Sequence, residues 1–436
     1  MSLSPNPSTP ENERTASLII DLERDTLEAG RFCLTDRQTG AEFECGARRT
    51  RIGTGERNDV RLEDRSVSRF HCEITLGPDG AQLCDTGSSN GTYINGVRVE
   101  KAWLHHDARI RVGNSHLTFE VRDGSSSIRL GDTDFGGLIG SSTPMRALFA
   151  ELERAAASDA TVLLQGETGT GKTAAARAIH NASRRAAEPF VVVDLGTMPE
   201  QLAESELFGH EQGSFTGAYK SFAGAFERAK RGTVFLDEIG EISPSLQPKL
   251  LRVIENRTVR RIGASRDLRL DIRVVAATHR DLRAGVNAGD FRADLFYRIA
   301  VLETQLPALR DHPEDIPLLC EALLRNMDVS EGEEDFLSPS LLARLQSMRW
   351  PGNVRQLRNQ LERYAVLGVP TELMPDPRAV QTPYEESRAN ALRAFERDYV
   401  RRLLDRNDGN VTKAAAVAGI ARGYLHRIIR RSKLDE

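Results

Sequence analysis

An eight-residue glycine-rich stretch holds the residues with the clearest chemical purpose in this 436-residue chain. It follows the apolar run 161–164 and precedes the helix-favouring segment 174–179. A strand, a glycine-rich turn and a helix bring backbone N–H groups and a helix N-terminus to one point, which suits a polyphosphate. A turn that binds nothing is the alternative, and these flanks argue against it. The pattern therefore predicts a nucleoside triphosphate site formed by Gly166, Glu167, Thr168, Gly169, Thr170, Gly171, Lys172 and Thr173.

Within that stretch, Lys172 supplies a positive charge for the β- and γ-phosphates, and the Thr173 hydroxyl is suited to ligate magnesium. Two carboxylates, Asp237 and Glu238, end the apolar strand predicted at 232–236. Asp237 is suited to hold magnesium, and Glu238 is suited to polarise the attacking water. ATP and Mg²⁺ are therefore the expected cofactors.

A further apolar strand, 272–277, ends at Thr278 and His279, which we also assign to ATP binding. Strands that alternate with helices imply a parallel sheet with the nucleotide at its carboxyl edge. The sequence thus predicts an α/β P-loop domain.

Composition limits the remaining possibilities. The length favours two to four domains, and 39% hydrophobic with 28% charged residues is typical of a soluble globular protein. A net charge of −4 argues against nucleic-acid binding by the whole surface but allows a local basic element. Five cysteines without a C-x-x-C pair are interpreted as reduced core residues, with metal binding a remote alternative. We predict a cytoplasmic protein without a membrane span, whose residues 1–25 are a disordered segment.

Residues 26–122 consist of short apolar or alternating runs between turn signals, which predicts an all-β sandwich or barrel. The stretches 64–71 and 85–96 resemble the forkhead-associated (FHA) domain family. The resemblance implies a sandwich that binds phosphothreonine peptides with loops at one end. Converging hydroxyl, amide and guanidinium donors suit a phosphate. By this resemblance the contacts are Ser68, Arg69, Ser89 and Asn90.

One position of the first domain departs from the FHA pattern, because Thr54 follows Gly53 where that family usually has Arg. Losing that charge should weaken phosphopeptide binding, and Arg57 is a nearby substitute. The alternative interpretation is a sandwich that packs against its neighbours and binds no phosphate. His71 is expected to brace its loop.

The segment 204–218 resembles the signature of sigma-54-dependent transcriptional activators (bacterial enhancer-binding proteins), which are ring-forming AAA+ ATPases. In that family the loop reads Gly-Ala-Phe-Thr-Gly-Ala and contacts sigma-54, whereas Ser214 here replaces the alanine. An exposed Phe and Thr between glycines suit a mobile tip that touches a partner. The resemblance assigns this contact to Gly213, Ser214, Phe215, Thr216, Gly217 and Ala218.

The same resemblance extends along the chain. Segment 291–298 implies that Arg292 and Arg298 reach the neighbouring subunit's nucleotide, and segment 350–359 carries the sensor arginine, Arg355. Three departures from the family pattern bear on the mechanism. Glu is usual in the family where this chain has Thr173, and Asn is usual where it has Asp194 and His279.

The tail from residue 391 carries eleven Lys and Arg against six Asp and Glu. Its predicted helices are 391–406, 411–418 and 422–432, which make an all-α helix-turn-helix with a basic last helix for the major groove. The tail looks like the Fis-type DNA-binding domain that ends these activators. A basic surface helix without DNA is the alternative. The candidate DNA contacts are Arg422, Tyr424, His426, Arg427, Arg430 and Arg431.

The sequence therefore predicts a multidomain chain with an FHA sandwich, a linker at 123–134, an AAA+ subdomain at 135–305 and a helical lid at 306–368. A second linker, 369–390, leads to the helix-turn-helix at 391–436. The expected function is ATP-driven activation of sigma-54 RNA polymerase from upstream DNA by a homo-oligomeric ring, controlled by a phosphothreonine protein or Ser/Thr kinase. The alternatives are a DNA-bound phosphopeptide-responsive regulator that uses ATP only for assembly, and an AAA+ remodelling factor for another substrate.

Overall fold

The computed structural model of the chain describes residues 14–21, 25–215, 218–325, 327, 337–367, 403, 411–418 and 425. The chain divides into two compact units, Met1–Glu362 and Arg363–Glu436. None of the helices in the described ranges combines the length and the apolar composition that crossing a membrane requires.

The first unit begins with a sandwich of two mostly antiparallel sheets. The larger sheet has the order β1-β2-β12-β11-β8-β9, with β3 also paired to β2, and the smaller has the order β10-β7-β6-β4-β5. The strands are β1 Leu18–Asp21, β2 Thr26–Asp36, β3 Glu42–Cys45, β4 Arg49–Gly53, β5 Val60–Arg61, β6 Cys72–Gly77, β7 Gly80–Asp85, β8 Thr92–Ile94, β9 Val97–Val99, β10 Lys101–Leu104, β11 Ala108–Val112 and β12 Ser115–Arg129.

Alternation along the strands builds the core of this sandwich. In β6, Cys72, Ile74 and Leu76 are buried while the residues between them are half-exposed, as expected for one face turned inward. Across the larger sheet, the rings of Phe32 and Phe119 lie 4.9 Å apart. The all-β prediction for this part of the chain is confirmed.

Two predicted boundaries of the sandwich are wrong. The segment 1–25, predicted to be disordered, contains β1, and the predicted linker 123–134 contains the last residues of β12, which pair with β2. The physical reason is a small apolar cluster that draws both segments into the sheet, formed by Leu18, Leu27, Ile128, Leu130 and Ala147. Serines 125–127 resemble a linker in composition, yet they pair through their backbones with residues 28–30.

The second part of the first unit is a five-stranded parallel sheet with the order β16-β17-β20-β15-β21. Its strands, together with two small hairpins, are β13 Asp134–Phe135, β14 Leu138–Ile139, β15 Val162–Gln165, β16 Phe190–Asp194, β17 Thr233–Asp237, β18 Thr258–Val259, β19 Leu268–Arg269, β20 Arg273–Thr278 and β21 Leu302–Gln305. The helices of this part are α1 Thr143–Ala156, α2 Lys172–Asn181, α3 Glu200–Phe208, α4 Ala225–Arg228, α5 Gln247–Asn256, α6 Leu282–Ala288 and α7 Ala293–Ile299.

Successive residues of the central strands enter two different cores, one on each face of the sheet. Leu163 and Val274 belong to one core, whereas Leu164 and Val275 belong to the other. This double burial explains why the strands read as continuous apolar runs. Since all five strands are parallel, β15, β17 and β20 end at the same edge.

Three helices and short 3₁₀ turns follow the sheet. They are α8 Ile316–Arg325, α9 Pro339–Gln346 and α10 Asn353–Leu367, with 3₁₀ turns at Leu309–Asp311 and Pro313–Asp315. In the second unit the structure describes one helix, Val411–Val417, which agrees with the predicted helix 411–418. Ala414 and Ala415 of this helix pack with Leu403 and Leu425 in a small core.

The sandwich and the parallel-sheet part share a packed contact. Phe70 of the sandwich is only 3% exposed and belongs to the core beneath α7, not to the core of its own domain. Its ring meets those of Phe296 and Tyr297 at centroid distances of 5.0 and 5.7 Å. Burying a phenylalanine contributes about 1.5–3 kcal/mol, so this residue anchors the contact.

Candidate functional site

The glycine-rich loop connects β15 to α2, as predicted. Gly166, Gly169 and Gly171 have φ angles of 157°, 83° and 99°, which favour glycine. A Cβ on Gly169 would also lie 2.3 Å from the Gly352 carbonyl oxygen, so only glycine fits there. The loop therefore presents backbone amides at the start of α2, where a helix N-terminus favours anions.

Lys172 holds the loop from the inside. Its side chain is 6% exposed, and its ammonium group donates to the carbonyl oxygens of Gly166 and Glu167 at 2.9 and 3.2 Å. It also lies 3.6 Å from Oε1 of Glu238. Lys172, the only cation of the loop, thus lies between the phosphate-binding turn and the Glu238 carboxylate, which follows β17.

Thr173 and Asp237, the two predicted magnesium ligands, are in direct contact. The Thr173 hydroxyl donates to Asp237 Oδ2 at 3.0 Å across the gap between α2 and β17. Burial and the nearby Glu238 charge raise the pKa of Asp237. Within the described residues no three His, Cys, Asp or Glu side chains cluster as a metal site. Two protein oxygens fit the habit of magnesium, which takes its other ligands from water and phosphates.

Glu238 has a left-handed backbone conformation with φ of 52°, which is uncommon outside glycine. His279 binds its carboxylate twice, because ring Nδ1 lies 2.7 Å from Oε2 and the His279 backbone amide donates to the same oxygen at 3.1 Å. Burial raises the pKa of Glu238, but the hydrogen bonds from His279 and the charge of Lys172 outweigh it and hold the pKa below its ordinary value. The carboxylate is therefore ionised and positioned.

Asp194 engages a different partner. Its Oδ1 accepts from the Gly196 amide at 2.9 Å, whereas among the described residues the hydrogen bonds to the Glu238 carboxylate come from His279. Of the two positions where the family usually has Asn, His279 therefore contacts the Glu238 carboxylate and Asp194 does not.

Replacing His279 with alanine is expected to lower kcat for ATP hydrolysis about tenfold while leaving ATP affinity within about twofold, because the water-polarising carboxylate loses its orientation. His279→Asn should retain more activity, since an amide can donate the same bond. Asp194→Ala is the control and should change turnover little. Turnover is measured as steady-state phosphate release. If all three variants turn over ATP as fast as the wild type, other groups orient Glu238.

Thr278 is fully buried at the end of β20. Its hydroxyl accepts from the Arg280 amide at 3.0 Å, and its carbonyl oxygen accepts from the Gly166 amide at 3.3 Å. Its predicted contact with the nucleotide stays a prediction. Thr278 supports the loop through its backbone.

The lid contacts the phosphate loop through residues that the sequence interpretation had not assigned. Glu167 accepts from both Arg310 and Asn353, at 2.8 Å from Arg310 Nη1 and 3.2 Å from Asn353 Nδ2. The Arg310 hydrogen bonds lower the pKa of Glu167. Arg355, the predicted sensor, is exposed, and its amide donates to the Gly169 carbonyl at 3.4 Å. Arg355 thus lies beside the loop through its backbone, and its role as the sensor stays a prediction.

The two arginines predicted to reach the neighbouring subunit's nucleotide, here called finger arginines, lie at opposite ends of α7. Arg292, the residue before the helix, makes a two-pronged ion pair with Asp294 at 3.0 and 2.7 Å. Arg298 has a looser contact, 3.7 Å from Glu255, and its side chain is 47% exposed. Neither belongs to the core, so both are available to a neighbouring molecule.

The loop at 213–218 is held at its base. The Gly213 amide donates to the Ala218 carbonyl at 2.8 Å, and the Ser214 hydroxyl donates to the Glu211 carbonyl at 2.8 Å. Phe215 is 46% exposed with its ring edge-on to His210 at 5.0 Å. Thr216 and Gly217 lie outside the described residues.

The structure brings the predicted phosphopeptide residues to one end of the sandwich. Ser68 Oγ accepts from the Ser89 amide at 3.0 Å, and Asn90 Nδ2 donates to the Ser66 carbonyl at 2.7 Å. Arg69, Ser89 and Asn90 are exposed. These contacts join the two loops that the sequence assigns to one phosphate.

His71 braces these loops, as expected from the sequence. It is fully buried, its Nδ1 accepts from the Ser68 amide at 3.1 Å, and its Nε2 lies 3.2 Å from the Gly91 carbonyl. Burial lowers the pKa of His71, which favours the neutral ring. Arg57, in contrast, donates to the Ala300 carbonyl of the parallel-sheet part at 3.2 Å. It is therefore not placed as the predicted substitute for the charge missing at Thr54.

The predicted DNA contacts, Arg422, Tyr424, His426, Arg427, Arg430 and Arg431, lie outside the described residues, as does the predicted linker 369–390. Of the predicted helix-turn-helix, the structure describes the helix Val411–Val417 and two isolated apolar residues.

Comparisons with known proteins agree with this geometry. Residues 138–305 match the Sigma-54 interaction domain, residues 50–113 match the FHA domain, and residues 310–391 match an AAA+ ATPase lid domain. The chain is 43% identical over 299 residues to the transcriptional regulatory protein GlrR of Escherichia coli (strain K12), covering 67% of each protein. It is 43% identical over 317 residues to the hydrogenase transcriptional regulatory protein HoxA of Bradyrhizobium diazoefficiens, covering 69% of this chain and 65% of HoxA.

A solved structure is similar as well. The crystal structure of NtrX from Brucella abortus in complex with ADP superposes with a TM-score of 0.51 at 32% identity, covering 68% of this chain and 70% of that chain. The chain therefore belongs to the family of transcriptional regulators with a sigma-54 interaction domain. Within this family it is a sigma-54-dependent regulator with an FHA domain and an AAA+ domain of the ATP-binding, ATP-hydrolysing class.

Proposed function

We propose that this regulator uses ATP hydrolysis to remodel sigma-54 RNA polymerase from upstream DNA sites, acting from the cytoplasm as a homo-oligomeric ring. The single observation that carries the proposal is the meeting of Lys172, Thr173, Asp237 and Glu238 at one edge of the parallel sheet of a Sigma-54 interaction domain. A phosphate-binding cation, two magnesium-type oxygens and a positioned carboxylate are the groups that phosphoryl transfer to water requires.

Each group has a separate task in this proposal. Lys172 and the loop amides bind the β- and γ-phosphates, and Thr173 with Asp237 would hold a magnesium ion that neutralises phosphate charge. Glu238 polarises the water, and His279 keeps its carboxylate in place. Arg298 and Arg292 complete the site of the next subunit, which makes hydrolysis depend on assembly.

The loop Gly213–Ala218 is the proposed contact with sigma-54. Phe215 is half-exposed although it is large and apolar, and the base of the loop is fixed by hydrogen bonds. An exposed aromatic side chain on a small glycine-flanked loop is a typical protein contact. A loop of the ATPase domain whose described residues make no hydrogen bond to the phosphate loop is suited to carry the nucleotide state to a partner.

Regulation and targeting come from the two ends of the chain. We assign Ser68, Arg69, Ser89 and Asn90 to a phosphothreonine peptide, which a Ser/Thr kinase would generate. The tail, with its excess of Lys and Arg, is assigned to upstream DNA through its predicted helix-turn-helix.

The test is ATP-dependent open-complex formation by the purified chain with sigma-54 holoenzyme on a sigma-54 promoter. We expect open complexes with the wild type and none with Lys172→Ala, which lacks the only cation of the phosphate loop. ATP hydrolysis without open complexes would favour a remodelling factor for another substrate. DNA and phosphopeptide binding that requires ATP only for assembly would favour the other alternative, a regulator whose FHA domain is the working part.

A further inference from the structure

The end of the sandwich that carries the proposed phosphate contacts is also the end that touches the ATPase domain. Three loops at this end take part, through residues 54–57, 68–71 and 86–91. On the other side lie residues 282–303, which include α6, α7 and the start of β21. We call these two sets of residues, together with Arg51 of β4 and Glu73 of β6, the docking surface.

Asn287 of α6 hydrogen-bonds to the backbone of the sandwich. Its Nδ2 donates to the carbonyl oxygens of Phe70 and Thr86 at 2.6 and 3.2 Å, and its Oδ1 accepts from the Phe70 amide at 3.4 Å. Gly87, next to Thr86, faces Ala284 of the same helix, since a Cβ on Gly87 would lie 3.5 Å from that of Ala284. One α6 side chain thus fastens two of the three loops.

Ion pairs line the remainder of the docking surface. Glu303 of β21 pairs with Arg51 of the sandwich at 3.4 Å and with Arg283 of α6. Arg283 also lies 3.6 Å from Glu73 of the sandwich. Arg283 and Glu303 are nearly buried, so these charges depend on each other for compensation. The contact is therefore a specific one with matched charges on both sides.

The phosphate-contact residues are linked to this surface through one short segment. Ser68 is bound by Ser89 on one side, and its amide is held by His71 on the other. Phe70, two residues after Ser68, is buried in the core of the ATPase domain, and its carbonyl also accepts from the Thr86 hydroxyl at 2.8 Å. A change in the position of Ser68 or Ser89 would therefore act on the same two loops that carry Phe70 and Thr86.

In the docked arrangement three of the phosphate-contact residues are engaged in hydrogen bonds between the two loops. Ser68 accepts from the Ser89 amide, and Asn90 donates to the Ser66 carbonyl. A phosphate between these loops would compete for the Ser89 amide and for the Asn90 side-chain amide, because it accepts from several donors at once. That competition would shift the two loops, and with them the Phe70 and Thr86 carbonyl oxygens that Asn287 binds.

The ATPase residues of this contact directly precede a finger arginine in α7. Phe70 packs on Phe296 and Tyr297, and Arg57 lies over the Tyr297 ring at 5.8 Å. Arg298 is the next residue of α7. The side chains that anchor the sandwich are thus the immediate neighbours of a residue proposed to act in another subunit.

We infer that a phosphothreonine peptide and residues 282–303 of the ATPase domain compete for the same loops of the FHA domain. Peptide binding weakens docking and frees α7, and docking weakens peptide binding by the same factor, since binding linkage is reciprocal. This inference rests on the proposed phosphothreonine recognition. It adds that peptide binding acts on α7, the helix that carries Arg298.

The experiment measures binding of a degenerate phosphothreonine peptide pool, and of its unphosphorylated counterpart, to the full chain. Asn287→Ala removes the α6 clamp without touching the phosphate contacts, and we expect it to bind the phosphorylated pool at least about fivefold more tightly than wild type. Ala284→Gln, which crowds Gly87 from a half-buried site, should act in the same direction. Asn181→Ala, at the exposed end of α2, is the matched control and should equal the wild type.

Hydrogen exchange supplies a second readout, since the phosphorylated pool should speed exchange of the α7 amides in the wild type. Unchanged or weaker peptide binding by both Asn287→Ala and Ala284→Gln would overturn the competition and leave phosphothreonine recognition intact. If no protein in the series prefers the phosphorylated pool, the phosphosensor role itself fails, and the inference fails with it.

Discussion

Replacing Arg298 with alanine is expected to lower ATP hydrolysis by about 10³–10⁵-fold, the range that a finger arginine contributes in nucleotide hydrolases. The side chain is half-exposed on α7, and its nearest carboxylate, Glu255, is 3.7 Å away, so it is free to reach a phosphate. ATP binding should be retained, because the variant's own Lys172 and loop amides are unaffected. Arg252→Ala, an exposed arginine on α5 paired with Asp267, is the matched control.

Mixing experiments test whether Arg298 acts in another subunit. An Arg298→Ala chain keeps an intact phosphate loop, and a Lys172→Ala chain keeps its finger. Where the two meet in one assembly, the second can complete the site of the first, so the mixture should hydrolyse ATP although each variant alone is inactive. Steady-state phosphate release at varied mixing ratios measures this. A mixture as inactive as its components would show that the arginine acts on its own subunit's nucleotide.

The local parts of the nucleotide site could be predicted from the sequence. The turn from β15 into α2 depends on glycines whose positive φ angles are a property of the stretch itself. Asp237 was predictable as well, because a carboxylate at the end of a buried strand must lie at the sheet edge. In both cases the residues that form the sequence pattern are the same few residues that form the local structure.

The ties between distant segments could not be predicted in this way. Glu167 is bound by Arg310 and Asn353, and nothing in residues 166–173 specifies those partners. The His279 bond to Glu238 joins the ends of two strands, and the sequence indicated only that His279 and Asp194 both depart from the family pattern. Pairings of this kind depend on tertiary packing, which a single sequence does not encode locally.

The sandwich illustrates the same limit at the level of domains. Alternation predicted its strands, but the serine-rich residues 125–127 resembled a linker although their backbones complete β12. Phe70 begins the alternating run 70–76 of the sandwich, yet its side chain is buried in the core of the next domain. Composition can identify a buried residue, but it cannot identify the domain that buries it.

Replacing Thr216 with alanine is expected to abolish transcription from a sigma-54 promoter while ATP hydrolysis, DNA binding and assembly stay near wild type. The flanks of this residue explain the expectation. The Gly213 amide binds the Ala218 carbonyl, which closes the base of the loop, and Phe215 is half-exposed against His210. No described residue of the loop binds the phosphate loop or the acidic pair, so losing one methyl and one hydroxyl group should not reach the nucleotide.

ATP hydrolysis and open-complex formation should be assayed on one preparation, so that the two activities share the same folded fraction. Ser214→Ala is the matched control, since it restores the residue usual in the family and removes only the hydrogen bond to Glu211. It should retain both activities. Parallel loss of both in Thr216→Ala would make the loop a structural part of the ATPase. Retention of both would mean that the loop does not bind sigma-54, and the proposed activation of sigma-54 polymerase through this loop would be wrong.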